Sequence, residues 1–398
     1  MNRVSAESSQ PFITLALSGG GSRAIAFHLG CLRALHDRNL LDKVKVVSTV
    51  SGGSVIGACF AYWEVEFAEF DRRVVHILRN GFNRSIVRSV FFSQETPKIF
   101  ATIFCTAIPT LGLGAVRIVL RIIRLITGLP TKTVENWLAF LSRSLPIWGS
   151  LTTAFENALQ RTVFGNATLN DVKLQGVEVV INACDLKTGT AFRFGSQKSG
   201  GWRYGCITEN DIHVAKAVAA SAAFPFLLPP LIEVFSFKQA GAVTKKKVVL
   251  TDGGVFDNLG VTVLEPGRNN GVSINSFPAT HIISLNAGAG QVSGDTSPFW
   301  WLSRVSQSFE TVHRKVQDGA YSRLHQYVKS GALKGFGMVY LGQIDSSLPY
   351  VPPDLVRREA VRDYPTNFAP MAQNDLDKLA LRGEQLTHII VDRYLSNI

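Results

Sequence analysis

The sequence Leu17-Ser18-Gly19-Gly20-Gly21-Ser22-Arg23 decides the fold, together with Thr49-Val50-Ser51-Gly52-Gly53-Ser54 further along the chain. Each stretch follows an apolar run and precedes a helical pattern. An apolar strand that turns through glycines into a helix brings backbone N–H groups and a helix N-terminus to one point, which attracts negative charge. The second stretch also places a serine at its turn, where the hydroxyl can attack an ester beside an anion-stabilising loop. The pair of turns therefore indicates hydrolysis of acyl esters.

Strands and helices alternate along most of the chain. We predict strands over residues 12–17, 45–50, 177–184, 247–250 and 282–285, and helices over residues 24–35, 54–67 and 211–222. This alternation predicts an α/β fold with a mostly parallel sheet that is covered on both faces. In such sheets, functional sites collect at the carboxyl ends of the strands. Both glycine turns are expected at that edge.

Composition and charge narrow the class of protein. The chain has 398 residues, of which 46% are hydrophobic and 18% charged, so it can bury a large core in one large domain or two smaller ones. Its formal net charge of +11 favours an acidic partner, either nucleic acid or anionic lipid. There is no zinc-finger spacing, no aromatic RNA-binding motif and no long basic block beyond 245–247. Lipid is therefore the favoured partner, and nucleic acid is not expected.

The cysteines indicate a reducing compartment. The five cysteines are scattered and form no Cys-x-x-Cys pair. The first apolar run, residues 12–17, ends in glycines instead of a signal-peptide cleavage site. We therefore expect a cytoplasmic protein that associates peripherally with membranes.

Residues 99–126 depart from the alternating pattern. Residues 99–116 are uncharged and mostly apolar, and Arg117, Arg121 and Arg124 follow on one helical face. Three interpretations stay open: an interfacial helix or lid that binds an anionic membrane surface through these arginines, a single membrane span near 99–116, or a buried helical pair. Residues 299–302, Phe-Trp-Trp-Leu, are a second candidate for a membrane interface, although such rings also fill cores.

Ser51 is the best candidate for the nucleophile. A nucleophile elbow needs small residues two positions before and after the serine. Gly53 meets this requirement, but Thr49 stands where glycine is usual. Ser18 is a competitor because it also follows a strand and precedes glycines, and Ser54 is a weaker one. The alternative role for Ser51 is capping of the following helix.

Asp252 is the best candidate for the base. It ends a predicted strand and precedes Gly253-Gly254, which places a carboxylate at the same edge of the sheet as Ser51. A carboxylate with a pKa near 4 is a weak base, so Asp252 would need desolvation or close hydrogen bonds. None of the eight histidines has a flanking pattern typical of a catalytic base. The alternative role for Asp252 is a turn residue, since Asp-Gly is a common turn pair.

These residues together resemble the patatin-like phospholipase family. The resemblance is carried by residues 19–23, Gly-Gly-Gly-Ser-Arg, by 51–53, Ser-Gly-Gly, by 220–225, Ala-Ser-Ala-Ala-Phe-Pro, and by 252–254, Asp-Gly-Gly, with Asp257-Asn258. It covers residues 12–285. The family resemblance implies a three-layer α/β/α sandwich with a mostly parallel central sheet and acyl lipids as substrates.

The resemblance also implies roles for individual residues. Ser51 would be the nucleophile and Asp252 its base in a Ser-Asp dyad that forms an acyl-enzyme. Gly19, Gly20 and Gly21 would form the oxyanion hole, and Arg23 would support that loop or bind a lipid phosphate. Gly53, Gly253 and Gly254 would shape the two turns. No metal or cofactor is expected. We divide the chain into an acyl hydrolase domain, 10–290, with a hydrophobic and basic insertion around 80–150, and a helical or mixed extension, 291–398.

Three other functions remain open at this stage. An acyltransferase could use the same nucleophile, because water and an alcohol compete for one acyl-enzyme. A lipid-binding protein of the membrane surface could keep the fold without strong catalysis. A dinucleotide-binding enzyme is the weakest alternative: Gly19-x-Gly21-x-x-Ala24 fits the fingerprint, but no acidic residue ends the second strand.

Overall fold

The computed structural model describes residues 12–127, 129–144, 149–268, 273–277, 279–290, 299–396 and 398. The predicted domain boundaries at residues 10 and 291 lie outside these ranges. The strands are β1 (Ile13–Leu17), β2 (Val44–Val50), β3 (Glu178–Asp185), β4 (Thr190–Gly195), β5 (Gly200–Gly201), β6 (Gly205–Ile207), β7 (Leu231–Gln239), β8 (Ala242–Asp252), β9 (His281–Asn286) and β10 (Gly335–Tyr340).

Twelve helices are present among the described residues. They are α1 (Gly21–Asp37), α2 (Gly52–Tyr62), α3 (Phe67–Asn80), α4 (Asn83–Phe91), α5 (Glu95–Thr102), α6 (Ile108–Thr127), α7 (Lys132–Ser144), α8 (Leu151–Leu159), α9 (Val214–Ser221), α10 (Gly254–Asp257), α11 (Trp301–Lys329) and α12 (Gln373–Tyr394). Short 3-10 turns lie at Leu41–Lys43, Asp345–Ser347 and Arg358–Ala360, and π-helical turns at Ile103–Ala107 and Gln160–Phe164.

The strands form one sheet in the order β10-β9-β1-β2-β3-β4-β5-β6-β7-β8. The strands from β10 to β3 are parallel, and those from β3 to β8 pair antiparallel. Helices α1, α2 and α12 pack on one face, whereas α11 and residues 259–264 pack on the other. The predicted α/β fold, a three-layer sandwich around a central sheet, is confirmed. The predicted helix 54–67 ends earlier, at Tyr62, and a separate helix begins at Phe67.

Strand β8 runs antiparallel to β3, which the sequence pattern did not predict. We expected Asp252 to share the carboxyl edge of parallel strands with Ser51, but β8 is antiparallel to β3. Strand β2 pairs with β3 as far as Val50 and Asn182, and β8 pairs with the next residue of β3, Ala183, through Asp252. The two strands therefore approach each other end to end along one side of β3. Ser51 and Asp252 meet where both strands stop.

The C-terminal part of the chain belongs to the same sheet and core. Strand β10 pairs with β9, and α12 packs along α1. The guanidinium of Arg382 is fully buried, pairs with Asp345 at 2.9 Å and donates to the Leu341 carbonyl at 2.9 Å. The predicted boundary near residue 290 thus lies between two neighbouring strands of one sheet.

The helices α4 to α7 occupy the predicted insertion around 80–150. Residues Glu95–Thr127 form one helical run of 33 residues that is long and apolar enough to cross a bilayer, with 12% of its apolar window buried. No described side chain of α6 is buried. The buried helical pair is therefore the wrong interpretation for α6. Phe299, Trp300 and Trp301 at the beginning of α11 are also exposed and do not fill the core.

We expect Gly30→Ala to destabilise the protein. A Cβ at Gly30 would lie 1.8 Å from the Ala380 carbonyl oxygen, so α1 and α12 would have to separate. Overpacking of this kind costs about 1–3 kcal/mol in the free energy of unfolding, measurable by urea denaturation. The control is Gly112→Ala in α6, where no atom lies within 4 Å of the new Cβ. This control should gain up to about 1 kcal/mol from helix propensity. Equal stability of both variants would contradict the close α1–α12 contact.

Candidate active site

The turn at Ser51 has the strained backbone of a nucleophile elbow. Ser51 has φ 51° and ψ −119°, a conformation that is uncommon for a residue with a side chain. The turn is possible because glycines follow. A Cβ at Gly52 would lie 2.2 Å from the Gly21 carbonyl oxygen, and a Cβ at Gly53 would lie 2.4 Å from the Leu17 carbonyl oxygen. The two glycine turns predicted from the sequence therefore touch each other.

Thr49 is accommodated by a glycine on the following helix. A Cβ at Gly57 would lie 2.4 Å from Thr49 Cγ2, so the methyl group of the threonine fits only because residue 57 has no side chain. The Thr49 hydroxyl donates to the Val180 carbonyl at 3.3 Å and accepts from the Ser54 hydroxyl at 3.0 Å. Thr49 is thus tied to β3 and α2, and the elbow keeps its geometry without glycine at this position.

Ser221 holds the backbone of Ser51. Its Oγ accepts the Ser51 N–H at 2.9 Å and donates to the Asn182 carbonyl at 2.6 Å. The same oxygen lies 2.9 Å from the Ser54 hydroxyl. Ser221 is fully buried, so bulk water does not compete for these hydrogen bonds. Ser221 belongs to the Ala-Ser-Ala-Ala-Phe-Pro motif and is the last residue of α9, but no sequence pattern predicted its contact with Ser51.

Asp252, the last residue of β8, is buried. Its Oδ1 accepts the Gly254 N–H at 2.7 Å, and the Ser51 hydroxyl lies within hydrogen-bonding reach of the carboxylate. Burial raises the pKa of Asp252 to about 6, against the opposing effect of these two hydrogen bonds. The N–H groups of Asp252 and Gly253 donate to the carbonyls of Ala223 and Ser221 at 3.0 and 3.1 Å. The Ala-Ser-Ala-Ala-Phe-Pro motif therefore positions both sides of the dyad.

The first glycine turn lies against Ser51 and the C-terminal part of the chain. Gly20 and Gly21 have φ values of 140° and 56°, and a Cβ at Gly21 would lie 2.1 Å from the Thr366 carbonyl oxygen. The Gly19 N–H donates to the Asn258 carbonyl at 3.2 Å. Asp257 fixes that segment, because its carboxylate accepts the N–H groups of residues 259, 260 and 262. The predicted pair Asp257-Asn258 thus supports the glycine turn.

Arg23 supports the loop that covers the glycine turn. Its Nη1 donates to the carbonyls of Arg362 and Tyr364, both at 3.2 Å. Its Nε is buried and has no partner among the described residues, and Arg23 lines the cavity in front of Ser51. Burial lowers the pKa of the guanidinium, and the charge of Glu310 opposes this effect. The two bonds from Nη1 fit the predicted loop-supporting role.

The competing serines do not reach the cavity. Ser18 is fully buried; its hydroxyl donates to the Gly19 carbonyl at 3.2 Å and accepts the Ala287 N–H at 2.9 Å. Ser54 is also buried, in contact with Thr49 and Ser221. No histidine is among the residues that line the cavity. Ser51 is therefore the serine that combines an elbow, a nearby carboxylate and access to the cavity.

The cavity in front of Ser51 has a volume of about 290 Å³ and an apolar wall. Its apolar lining comprises Ile86, Ala222, Phe224, Leu227, Leu228 and Phe368. Glu310 of α11 and residues 366–368 also line the cavity. No sequence motif indicated these residues. They lie far along the chain from the motifs and have no local pattern, so only the tertiary fold reveals them.

One group of side chains could hold a metal ion, but it lies away from the cavity. Asp37, Glu384 and His388 offer ligand atoms within 4.8 Å of one another, and none of these residues lines the cavity. The carboxylates that line the cavity are Asp252 and Glu310. The cavity thus brings together the Ser51 hydroxyl, the buried Asp252 carboxylate and the glycine turn at 19–21.

Comparison with known proteins identifies the class. The family model described as patatin-like phospholipase matches residues 15–264, which is more than half of the chain. The chain therefore belongs to the patatin-like phospholipase family, as the motifs predicted. Membership supports a lipid-hydrolysing enzyme. No curated protein matches the chain.

Several solved structures are similar in fold at low identity. VipD from Legionella pneumophila has 13% identity and a TM-score of 0.39, with 96% of this chain and 67% of that chain covered. Human GIVD cytosolic phospholipase A2 has 13% identity and a TM-score of 0.47, with coverages of 96% and 60%. The type III effector protein ExoU of Pseudomonas aeruginosa has 14% identity and a TM-score of 0.35, with coverages of 97% and 53%. The chain thus spans about three fifths of the length of the human protein.

We expect Ser221→Ala to lower the rate of ester hydrolysis more than it weakens substrate binding. The change leaves the buried N–H of Ser51 without an acceptor and frees the elbow. An unsatisfied buried donor costs about 1–3 kcal/mol, so kcat should fall by about tenfold to a hundredfold with KM little changed. Steady-state kinetics on a soluble short-chain ester measure both constants.

A second buried serine provides the control for this variant. Ser199 is fully buried, accepts the Gly195 N–H at 3.2 Å and does not line the cavity. Ser199→Ala should lose stability without a change in kcat per folded molecule. If Ser221→Ala kept the full kcat, Ser221 would have no part in positioning Ser51.

Proposed function

We propose that the protein is a serine acyl hydrolase of the phospholipase A or lysophospholipase type that cleaves lipid acyl esters through a Ser51-Asp252 dyad. One observation carries this proposal: β2 and β8 end against each other on β3, so that a strained serine and a buried carboxylate meet at the floor of an apolar cavity. The glycine turn at 19–21 lies beside them. Family membership supplies the lipid class.

The reaction follows from the positions of these groups. The Ser51 Oγ attacks the ester carbonyl carbon, and its proton passes to Asp252. Negative charge develops on the carbonyl oxygen, next to the glycine turn. The Gly19 N–H is engaged by Asn258, so Gly20 and Gly21 at the beginning of α1 supply the oxyanion donors. Asp252 then returns the proton to the leaving alcohol oxygen, which leaves an acyl-enzyme on Ser51. Water hydrolyses this ester with Asp252 again as the base.

The shape and charge of the site fit a lipid substrate. The acyl chain lies against the apolar wall of the cavity, and the cationic side chain of Arg23 lines the same cavity, where it attracts an anionic group of the substrate. The net charge of +11 favours anionic lipid surfaces. We therefore propose a peripheral membrane protein with phospholipid as its substrate.

We expect a fluorophosphonate probe to label Ser51. The probe reacts with serines that a base activates. Ser51 lines the cavity and lies beside the Asp252 carboxylate. Peptide mapping of the labelled protein should identify residue 51. Ser51→Ala should abolish labelling and ester hydrolysis, and Asp252→Asn should reduce both by at least about a hundredfold.

Two variants test whether these losses are specific. Ser18→Ala should keep the label, because Ser18 is buried outside the cavity. Asp185→Asn should keep hydrolysis, because Asp185 is a buried carboxylate at the end of β3 that binds Tyr204 and does not line the cavity. A label on Ser18, or full activity of Ser51→Ala, would contradict the proposed nucleophile.

We expect the pH profile of kcat/KM to fall on the acidic side with an apparent pKa near 6. Asp252 accepts a proton only when it is ionised, and burial raises its pKa to about 6. Activity should therefore rise as the pH increases through 6 and level off above it. Steady-state hydrolysis of a soluble ester at pH values below and above 6 measures the acidic side of this profile. A limb near the ordinary aspartate pKa, about 4, would contradict a desolvated base.

A further inference from the structure

Helix α6 carries its apolar face outward. Leu111, Ile118, Ile122 and Leu125 recur at helical spacing and are 75%, 60%, 49% and 83% exposed. A surface helix of a globular protein normally turns such a stripe toward the core. Helix α6 instead exposes its apolar stripe over most of its length.

The charged side of α6 is the side that contacts protein. Arg121 and Arg124 lie 3.4 and 2.9 Å from the carboxylate of Glu135 on α7, and Glu135 is buried. The Thr131 hydroxyl also donates to Glu135 at 2.7 Å. These contacts hold α6 and α7 together as a hairpin. Of the three arginines predicted to bind the membrane, Arg121 and Arg124 therefore contact Glu135, and Arg121 is 59% exposed.

Helix α7 and the end of α4 also expose large apolar side chains. On α7, Val134, Trp137 and Phe140 are 49%, 61% and 66% exposed, on the side away from the buried Glu135. Near the end of α4, Phe91 and Phe92 are 53% and 79% exposed. An apolar surface of this extent on a single chain marks an interaction site.

The segment that carries this surface also carries most of the net charge. Residues 83–144 contain eight Lys and Arg against two Glu, Glu95 and Glu135, and both glutamates are paired with cations of the segment. On α4, Arg84 and Arg88 are exposed and form no ion pair with a described residue. Free cations therefore flank the apolar side chains.

The surface adjoins the cavity of Ser51. Asn83 and Ile86 of α4 line the cavity, and Asn83, Arg84, Val87, Arg88 and Phe92 line an open apolar depression next to it. A lipid that leaves a bilayer along α4 would thus enter the cavity of Ser51 past Val87 and Ile86.

We propose that the outward faces of α4, α6 and α7 form a membrane-docking surface that lays the protein on an anionic lipid bilayer, with α4 at the entrance to the cavity. The apolar stripes of α6 and α7 enter the interfacial layer, and Arg84 and Arg88 contact the lipid phosphates. This inference names the membrane partner of the proposed lipid hydrolase and rests on that function for its biological role. Docking depends on the apolar face and on α4, whereas Arg121 and Arg124 serve the α6–α7 hairpin.

Charge decides between a bilayer and a second copy of this chain. Two copies that met through this surface would bring together two segments with the same large positive excess, and the described acidic residues of the segment are already paired. An anionic bilayer has an apolar interior and a negatively charged surface. It can therefore bury the apolar stripes of α6 and α7 and bind Arg84 and Arg88 at the same time.

Vesicle sedimentation tests the surface. The protein carries Ser51→Ala so that the lipid stays intact, and the vesicles consist of phosphatidylcholine with or without phosphatidylserine. We expect Ile118→Ser combined with Leu125→Ser to reduce binding to phosphatidylserine vesicles by about tenfold or more. Arg84→Gln combined with Arg88→Gln should reduce that binding severalfold and leave the weaker binding to pure phosphatidylcholine unchanged.

The control variants separate docking from folding and from catalysis. Val234→Ser combined with Val243→Ser changes two side chains that are each 59% exposed on the β7–β8 hairpin, and binding should not change. In protein with Ser51 intact, the α6 variant should keep full hydrolysis of a soluble short-chain ester and lose hydrolysis of vesicles. Failure of the proposed function would instead remove ester hydrolysis in every variant while vesicle binding persisted.

Three results would overturn the docking surface. The first is full vesicle binding by the α6 variant. The second is a wild-type dimer in light scattering that the α6 variant dissociates, since the face would then contact a second copy. The third is resistance to carbonate extraction, since the helical run 95–127 would then cross the bilayer.

Discussion

The end-to-end meeting of β2 and β8 on one side of β3 is the constraint on which the site depends. Parallel pairing carries β2 as far as Asn182, and antiparallel pairing carries β8 from Ala183 onward. Because no strand fills the point between them, the chain must turn away twice in a small space. Glycines at 52, 53 and 253 permit these turns, since a Cβ at each would lie within 2.4 Å of a carbonyl oxygen. Backbone packing thus places the hydroxyl and the carboxylate together.

The sequence predicted the parts of this arrangement that local patterns encode. Ser51, Asp252 and the glycines at 19–21 each follow an apolar strand, so their place at strand ends was readable. The direction of β8 could not be predicted, because a strand shows the same alternation of side chains whichever way it runs in the sheet. The tolerance of Thr49 depends on Gly57 and Val180, which no local motif links to it. The contacts of Gly21 with Thr366 join residues far apart in the chain, so they could not be predicted from one sequence.

Helix α6 shows a different limit of sequence patterns. Periodicity indicated a helix with a basic stripe and an apolar remainder, but it could not tell which side would face protein. One buried side chain, Glu135, decides the matter, because a buried carboxylate requires cationic partners. Arg121 and Arg124 therefore turn toward α7, and the apolar residues turn outward by default. The amphipathic pattern was correct, and the contacts of Arg121 and Arg124 with Glu135 show which side of α6 faces protein.

The burial of Asp252 balances two opposing requirements of a carboxylate base. An aspartate at its ordinary pKa, near 4, accepts a proton from a serine poorly, whereas one that is fully desolvated would be protonated at neutral pH. Burial raises the pKa of Asp252 to about 6, and the hydrogen bonds from Gly254 and Ser51 stop it from rising further. Most of the carboxylate is then ionised at pH 7 but is more basic than an exposed aspartate. The Gly253-Gly254 turn makes this balance possible, because it delivers a backbone N–H to the buried carboxylate.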